Sequence, residues 1–138
     1  MKIIELTRFH SERSLINLKI DKNKNFNNNN EKFKTILFEF GITNIGDYNN
    51  KFKRTFDDGY ISDLINKVSF DYKFSFKKIS EYKEQLINSG WPERWHADII
   101  KNIIIAEYIK ENLIDDYDFY IFSDADEVLD HTIFNILY

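Results

Sequence analysis

The sequence predicts an α/β fold, a sheet layered against flanking helices, on three observations. Two short runs, Lys2 to Leu6 and Phe33 to Phe40, have the apolar and β-branched make-up of core strands. A long stretch from Pro92 to about Asn112 repeats its apolar residues at helical spacing. A third apolar run then begins at Tyr117, and the resulting strand, helix, strand order is that of α/β layers. At 138 residues the chain is one domain by length, able to bury roughly two-thirds of its unfolded surface.

The elements follow in order. Ile3 and Ile4 make the first run a strand with almost no leader before it. Ser14 to Ile20 sets Ile16, Leu18 and Ile20 on one alternating, strand-like face. Residues 21–30 then dissolve into Lys and Asn, a loop or disordered insertion in which Phe26 alone is suited to burial. The strand Phe33 to Phe40 centres on Ile36, Leu37 and Phe38 and stops at Gly41. Lys51 to Phe56 is a weaker strand reading, Asp57-Asp58-Gly59 signals a turn, and Tyr60 to Lys67 is a short helical stretch. Val68 to Phe76 alternates without a fault, which predicts a half-exposed strand whose aromatic face needs a core or a partner.

Ser80 fits the N-cap of a helix through Asn88, closed by Gly90 and Pro92. Pro92 then opens the long helix. Its stripe of Trp95, Ile99, Ile103, Ala106, Ile109 and Leu113, widened by Ile100 and Ile104, predicts packing flat on a sheet.

Composition removes several function classes. A net charge of -4 and a pI near 5.4 leave no broad basic field, so a nucleic-acid partner is not expected. Zero Cys rules out disulfide frameworks, thiolate zinc sites and thiol catalysis. The chain has no run of about 18 apolar residues and no signal-peptide pattern, so a cytoplasmic protein without a membrane segment is expected. His96 and His131 lack ligand spacing with a third donor, which argues against zinc.

The chemistry concentrates in Tyr117 to Asp130, where an apolar run suited to a buried strand ends in Asp124, Asp126, Glu127 and Asp130. Crowded carboxylates raise one another's cost of ionising, so they call for a cation or for wide exposure to water. In an extended backbone Asp124 and Asp126 point the same way, with Ala125 turned aside, and the pair suits Mg²⁺ or Mn²⁺ carrying a phosphate group. A solvated acidic lead into the next helix fits the spacing as well. An EF-hand does not, because Leu129 occupies the loop position that needs Gly. Asp124 to Leu129 also resembles the first motif of haloacid-dehalogenase phosphatases, with Asp124 as nucleophile and Asp126 as acid/base. That motif opens its domain, whereas here it stands close to Tyr138.

The longer pattern from Asp116 to Val128 resembles the metal-binding segment of glycosyltransferase family 17, whose members transfer N-acetylglucosamine from a UDP-sugar to mannose of N-glycans. Ile3-Ile4-Glu5 followed by His10-Ser11 is similar to that family's strand, Glu and His/Phe-Ser/Thr pair. Trp91 or Trp95 with Lys101-Asn102 resembles its tryptophan and Arg-Asn helix. The chain departs from the pattern at Glu12, where the family has Gly, at Lys101, where it has Arg, and at Asp98, one residue out of register.

The resemblance implies a partial GT-A-type, Rossmann-like sheet with flanking helices and inverting transfer from a nucleotide-sugar to a glycan acceptor. In it Asp126, helped by Asp124, would hold Mn²⁺ or Mg²⁺ on the donor diphosphate. Asp124, Glu5, Lys101 and Asn102 fall on the donor side and His10 on the acceptor side. No base is identified, Glu127 being a weak candidate better suited to orienting the site. By the family's length, residues 1–138 are expected to be one incomplete domain, a fragment or a shortened relative. A non-catalytic binding module is the remaining rival. Outside the resemblance, Lys101 with Asp98 one turn earlier reads as a solvated ion pair. Trp91 and Trp95 suit stacking on a sugar or uracil, although Trp95 lies on the core stripe.

Overall fold

A chain whose strands are apolar on both faces favours a parallel sheet covered on both sides, and β1 (Ile3–Phe9) is buried along its whole length except at Arg8. The structure, a computed structural model, describes residues 2–10, 15–21, 33–47, 66–112, 114 and 116–127. With β2 (Phe33–Phe40), β3 (Asn66–Phe70) and β4 (Phe119–Asp124), β1 forms one sheet in the order β3-β2-β1-β4. Every pairing is parallel, and Ile3 stands in register with Phe33 on one side and Phe119 on the other. The helices are α1 (residues 15–21), α2 (Tyr72–Glu81), α3 (Lys83–Asn88) and α4 (His96–Glu111), the last preceded by a 3₁₀ turn at Glu93–Trp95.

Two cores result. Ile4 and Leu6 of β1 and Ile36, Phe38 and Phe40 of β2 pack with Ala97, Ile100, Ile104 and Ile105 of α4. On the other face Phe9 and Leu37 pack with Ile16 of α1 and with Ala125 just beyond β4. From β1 the chain moves to β2 and β3 on one side and returns to place β4 on the other. The direction of winding therefore reverses between β1 and β4, and the carboxyl ends of such neighbours border the crevice where α/β sheets bind ligands.

The α/β expectation holds, while several local readings change. Residues 15–21 are helical rather than alternating: Ile16 and Lys19 are buried and Leu18 is exposed, which no strand period allows. The strand reading of Val68 to Phe76 is cut short, because β3 ends at Phe70 and Asp71 caps α2 by accepting the Phe74 N–H at 2.8 Å. Gly41 allows that sharp turn, since a Cβ there would lie 2.9 Å from the Tyr72 nitrogen. Phe70 still finds the required core, stacked on Phe40 with the edge of Tyr108 toward it.

Ser80 is not an N-cap; it lies inside α2 and bonds back to the Phe76 carbonyl. The long helix exists, but its buried face is His96, Ala97, Ile100, Lys101, Ile104 and Ile105, whereas Trp95 and Ala106 of the expected stripe are exposed. β4 is an edge rather than a buried strand among the described residues, with Phe122 46 % exposed. The readings at residues 22–30, Lys51 to Phe56, Asp57 to Gly59, residues 60–65 and Leu113 lie outside the described residues. Residues 66 and 67, the end of the expected short helix, belong to β3. No described helix is long and apolar enough to cross a membrane.

Candidate functional site

The acids gather through a turn, not through an extended strand. β4 stops at Asp124, and the Glu127 N–H donates to the Asp124 carbonyl at 3.1 Å while the Asp124 N–H donates to Glu127 Oε1 at 3.0 Å. Ala125, the small residue inside the turn, is buried against Phe9, Ile16 and Leu37, which fixes the turn to the sheet. As a result, one carboxylate oxygen from each of Asp124, Asp126 and Glu127 lies within 4.8 Å of the others. Asp124 is half-buried, and Asp126 and Glu127 are exposed.

Two cations grip this turn from opposite faces of the sheet. On the α4 face Arg8, in register with Asp124, donates from Nε to Asp124 Oδ1 at 2.6 Å. Its remaining nitrogens reach α4, Nη1 to the Asp98 carbonyl at 2.9 Å and Nη2 to Asp98 Oδ1 at 2.7 Å. On the α1 face Lys19 reaches Ser123 Oγ at 2.8 Å, the Asp124 carbonyl at 3.2 Å and the Glu127 carbonyl at 2.5 Å. Charge-assisted bonds of this kind are about twice as strong as neutral ones.

A cavity of about 160 Å³ opens at the carboxyl ends of β1 and β4, bordered by Arg8, His10, Asn44, Lys101, Asp124 and Asp126. Lys101 is 1 % exposed and donates to Asn44 Oδ1 at 2.6 Å, its ammonium 5.5 Å from the Phe40 ring centre. Asn44 is held by the turn after β2, where the Gly46 N–H returns to the Thr43 carbonyl and Gly46 takes φ +89°. His10 donates from Nδ1 to the Phe40 carbonyl at 2.7 Å, which assigns the proton to that nitrogen.

The expected site residues therefore divide. Asp124, Asp126, Glu127, Lys101 and His10 come together. Glu5 does not reach the cavity: it is 0 % exposed and faces α1, paired with Lys19 Nζ at 3.2 Å and accepting from Thr7 Oγ1 at 3.1 Å. Asn102 is exposed on α4 and borders neither cavity. The solvated Lys101–Asp98 pair is overturned, since Asp98 turns to Arg8 and Lys101 is buried.

Arg8, Lys19 and Asn44 were not singled out by sequence. Arg8 had a signal, a lone charge continuing the buried Ile4-Leu6 face of a core strand. Lys19 also had one, three residues after Ile16 at helical spacing. A larger cavity, about 610 Å³, lies between α2, α3 and the start of α4 and is bordered by Phe76, Ile87 and the 61 % exposed Trp91. The acidic turn is not part of it.

The donor set fits a hard divalent ion. All three side chains offer oxygen, as Mg²⁺ and Mn²⁺ prefer, and the exposed Asp126 and Glu127 leave room for waters or ligand oxygens. Because Arg8 already shares the Asp124 carboxylate, Asp126 would be the stronger of the two Asp residues toward such an ion. No family model, no curated protein and no solved structure matches this chain.

Proposed function

We propose that this chain is the nucleotide-sugar-binding part of a metal-dependent glycosyltransferase, taking UDP-N-acetylglucosamine as donor and a sugar hydroxyl as acceptor, with inversion. One observation carries the reading: a cavity at the switch point of a parallel sheet is bordered both by acids, Asp124 and Asp126, and by cationic side chains, Arg8 and Lys101. A diphosphate with a divalent ion likewise carries both signs of charge.

Asp126 is the chief metal ligand, with Asp124 beside it and Glu127 orienting the turn through the Asp124 N–H. When bound, the ion would offset the charge that develops on the departing diphosphate. Arg8 and Lys101 orient phosphate oxygens, and their attachments to Asp98 and Asn44 hold them in place before any ligand arrives. His10, at the end of β1, is assigned to the acceptor.

Calorimetric titration of UDP with and without Mn²⁺ tests this directly. Affinity should depend on Mn²⁺ and fall at least about tenfold, about 1.4 kcal/mol, in Asp126→Ala. An absence of UDP binding under both conditions would sink the reading. Phosphate release from an aryl phosphate would replace it with a phosphatase using Asp124 and Asp126, and UDP binding without sugar transfer would reduce it to a binding module.

A further inference from the structure

Lys19 is 1 % exposed, and an ammonium taken out of water at that depth needs charge and hydrogen-bond partners to compensate its lost hydration. Its charge partner is Glu5 in the middle of β1, equally buried. A counter-ion alone would satisfy the electrostatics, yet among the described residues the other oxygens within reach of Nζ belong to the end of β4 and its turn: Ser123 Oγ, the Asp124 carbonyl and the Glu127 carbonyl. Asp124 and Glu127 are the two ends of the acidic turn. Ser123 is also linked to Thr7 at 3.0 Å, and Thr7 to Glu5, so the support runs back into the central strand.

We propose that Lys19 is the positioning residue of the acidic turn. From beneath the sheet it fixes both turn ends and thereby the spacing of Asp124, Asp126 and Glu127, with Glu5 as its buried counter-ion. The role in cation binding rests on the metal reading above; the mechanical role does not. Lys19 acts opposite to Arg8: Arg8 takes up part of the Asp124 carboxylate on the ligand side, whereas Lys19, among the described residues, holds the turn through backbone carbonyls and Ser123 and occupies none of the three carboxylates. Three carbonyl and hydroxyl acceptors around one ammonium also set a point in space more narrowly than a single ion pair does.

The test uses the full chain with Lys19→Met combined with Glu5→Gln, which removes both buried charges together so that neither is left unpaired. Amide hydrogen exchange and Mn²⁺ titration are measured on it and on the wild type. Exchange at residues 124–127 should accelerate at least about tenfold while β2 and α4 amides change by less than about twofold, and Mn²⁺ affinity should fall at least about tenfold. Unchanged exchange at 124–127, or equal acceleration along every strand, overturns the proposal, the second outcome marking Lys19 as a general stabiliser. If the double variant does not fold, Ser123→Ala, which deletes one Nζ partner and no charge, should speed the same amides by a smaller factor, and no local change there overturns it equally. Wild-type protein that binds no Mn²⁺ removes the metal reading, and the exchange result still decides the role of Lys19.

Discussion

Glu107 on α4 accepts from Lys78 Nζ at 2.7 Å and from the Tyr82 hydroxyl, and through it α2 and the start of α3 are fastened to α4. The Lys78 bond, then the Tyr82 bond, hold the Glu107 carboxyl below the usual glutamate range, and the same bond raises Lys78. Because the folded state lowers the Glu107 pKa, the unfolded chain takes up the proton first as pH falls. The stabilisation is complete above the ordinary glutamate pKa and is lost as pH drops through the folded value. For Lys78, raised on folding, it is present below the ordinary lysine pKa and lost as pH rises through the folded one. Glu107→Gln should therefore cost about 1 kcal/mol near neutrality, and its deficit relative to wild type should shrink on acidification. Urea midpoints across the acid range check this, and a deficit independent of pH would contradict it.

Buried lysines hide α1 and the buried face of α4 from a hydropathy pattern. Lys19 follows Ile16 by three residues and Lys101 follows Ala97 by four, so both complete an apolar helical face with a residue that any hydropathy pattern counts as polar. Without Lys19, the remaining Ile16, Leu18 and Ile20 mimic a strand. Without Lys101, the stripe of α4 shifts toward Ile99 and Ile103, which are only half-buried.

At the level of elements, the junction between β3 and α2 shows a cap overriding a pattern. Alternation from Val68 to Phe76 is indifferent to the junction, but the Asp71 carboxylate satisfies the Phe74 N–H and makes a helix start at Tyr72. Asp71→Ala should cost about 1 kcal/mol, visible as a lower thermal midpoint with faster amide exchange confined to the first turn of α2. α4 was legible as a helix because its length and repeated isoleucines exceed what any strand would hold. β4 was legible as the strand that carries the acids, although its exposure was not, since that depends on what lies beside it in the sheet.

At the scale of the molecule, β1 and β2 are the strands with neighbours on both sides among the described residues, and Phe38 of β2 sits between the sheet and Tyr108 of α4 with its ring in edge contact. Phe38→Ala should destabilise by about 3–5 kcal/mol, because the cavity left among Phe70 and Tyr108 fills only in part. Denaturant unfolding measures it, and a loss under about 1 kcal/mol would show that this face is not the main core. The slowest-exchanging amides should lie in β1 and β2, with those of β4 less protected.

The sequence by itself determined the α/β class, the strands that begin near Ile3, Phe33 and Phe119, the long helix and the crowding of acids at the end of the last of these strands. These are local matters of composition, length and charge crowding. Only the tertiary structure decided that β4 lies beside β1 with Arg8 in register with Asp124, that Glu5 is buried against Lys19 away from the cavity, and that Lys101 is buried at the cavity wall. A buried charge is tolerated only where distant oxygens meet it, and no sequence period records which residues those will be.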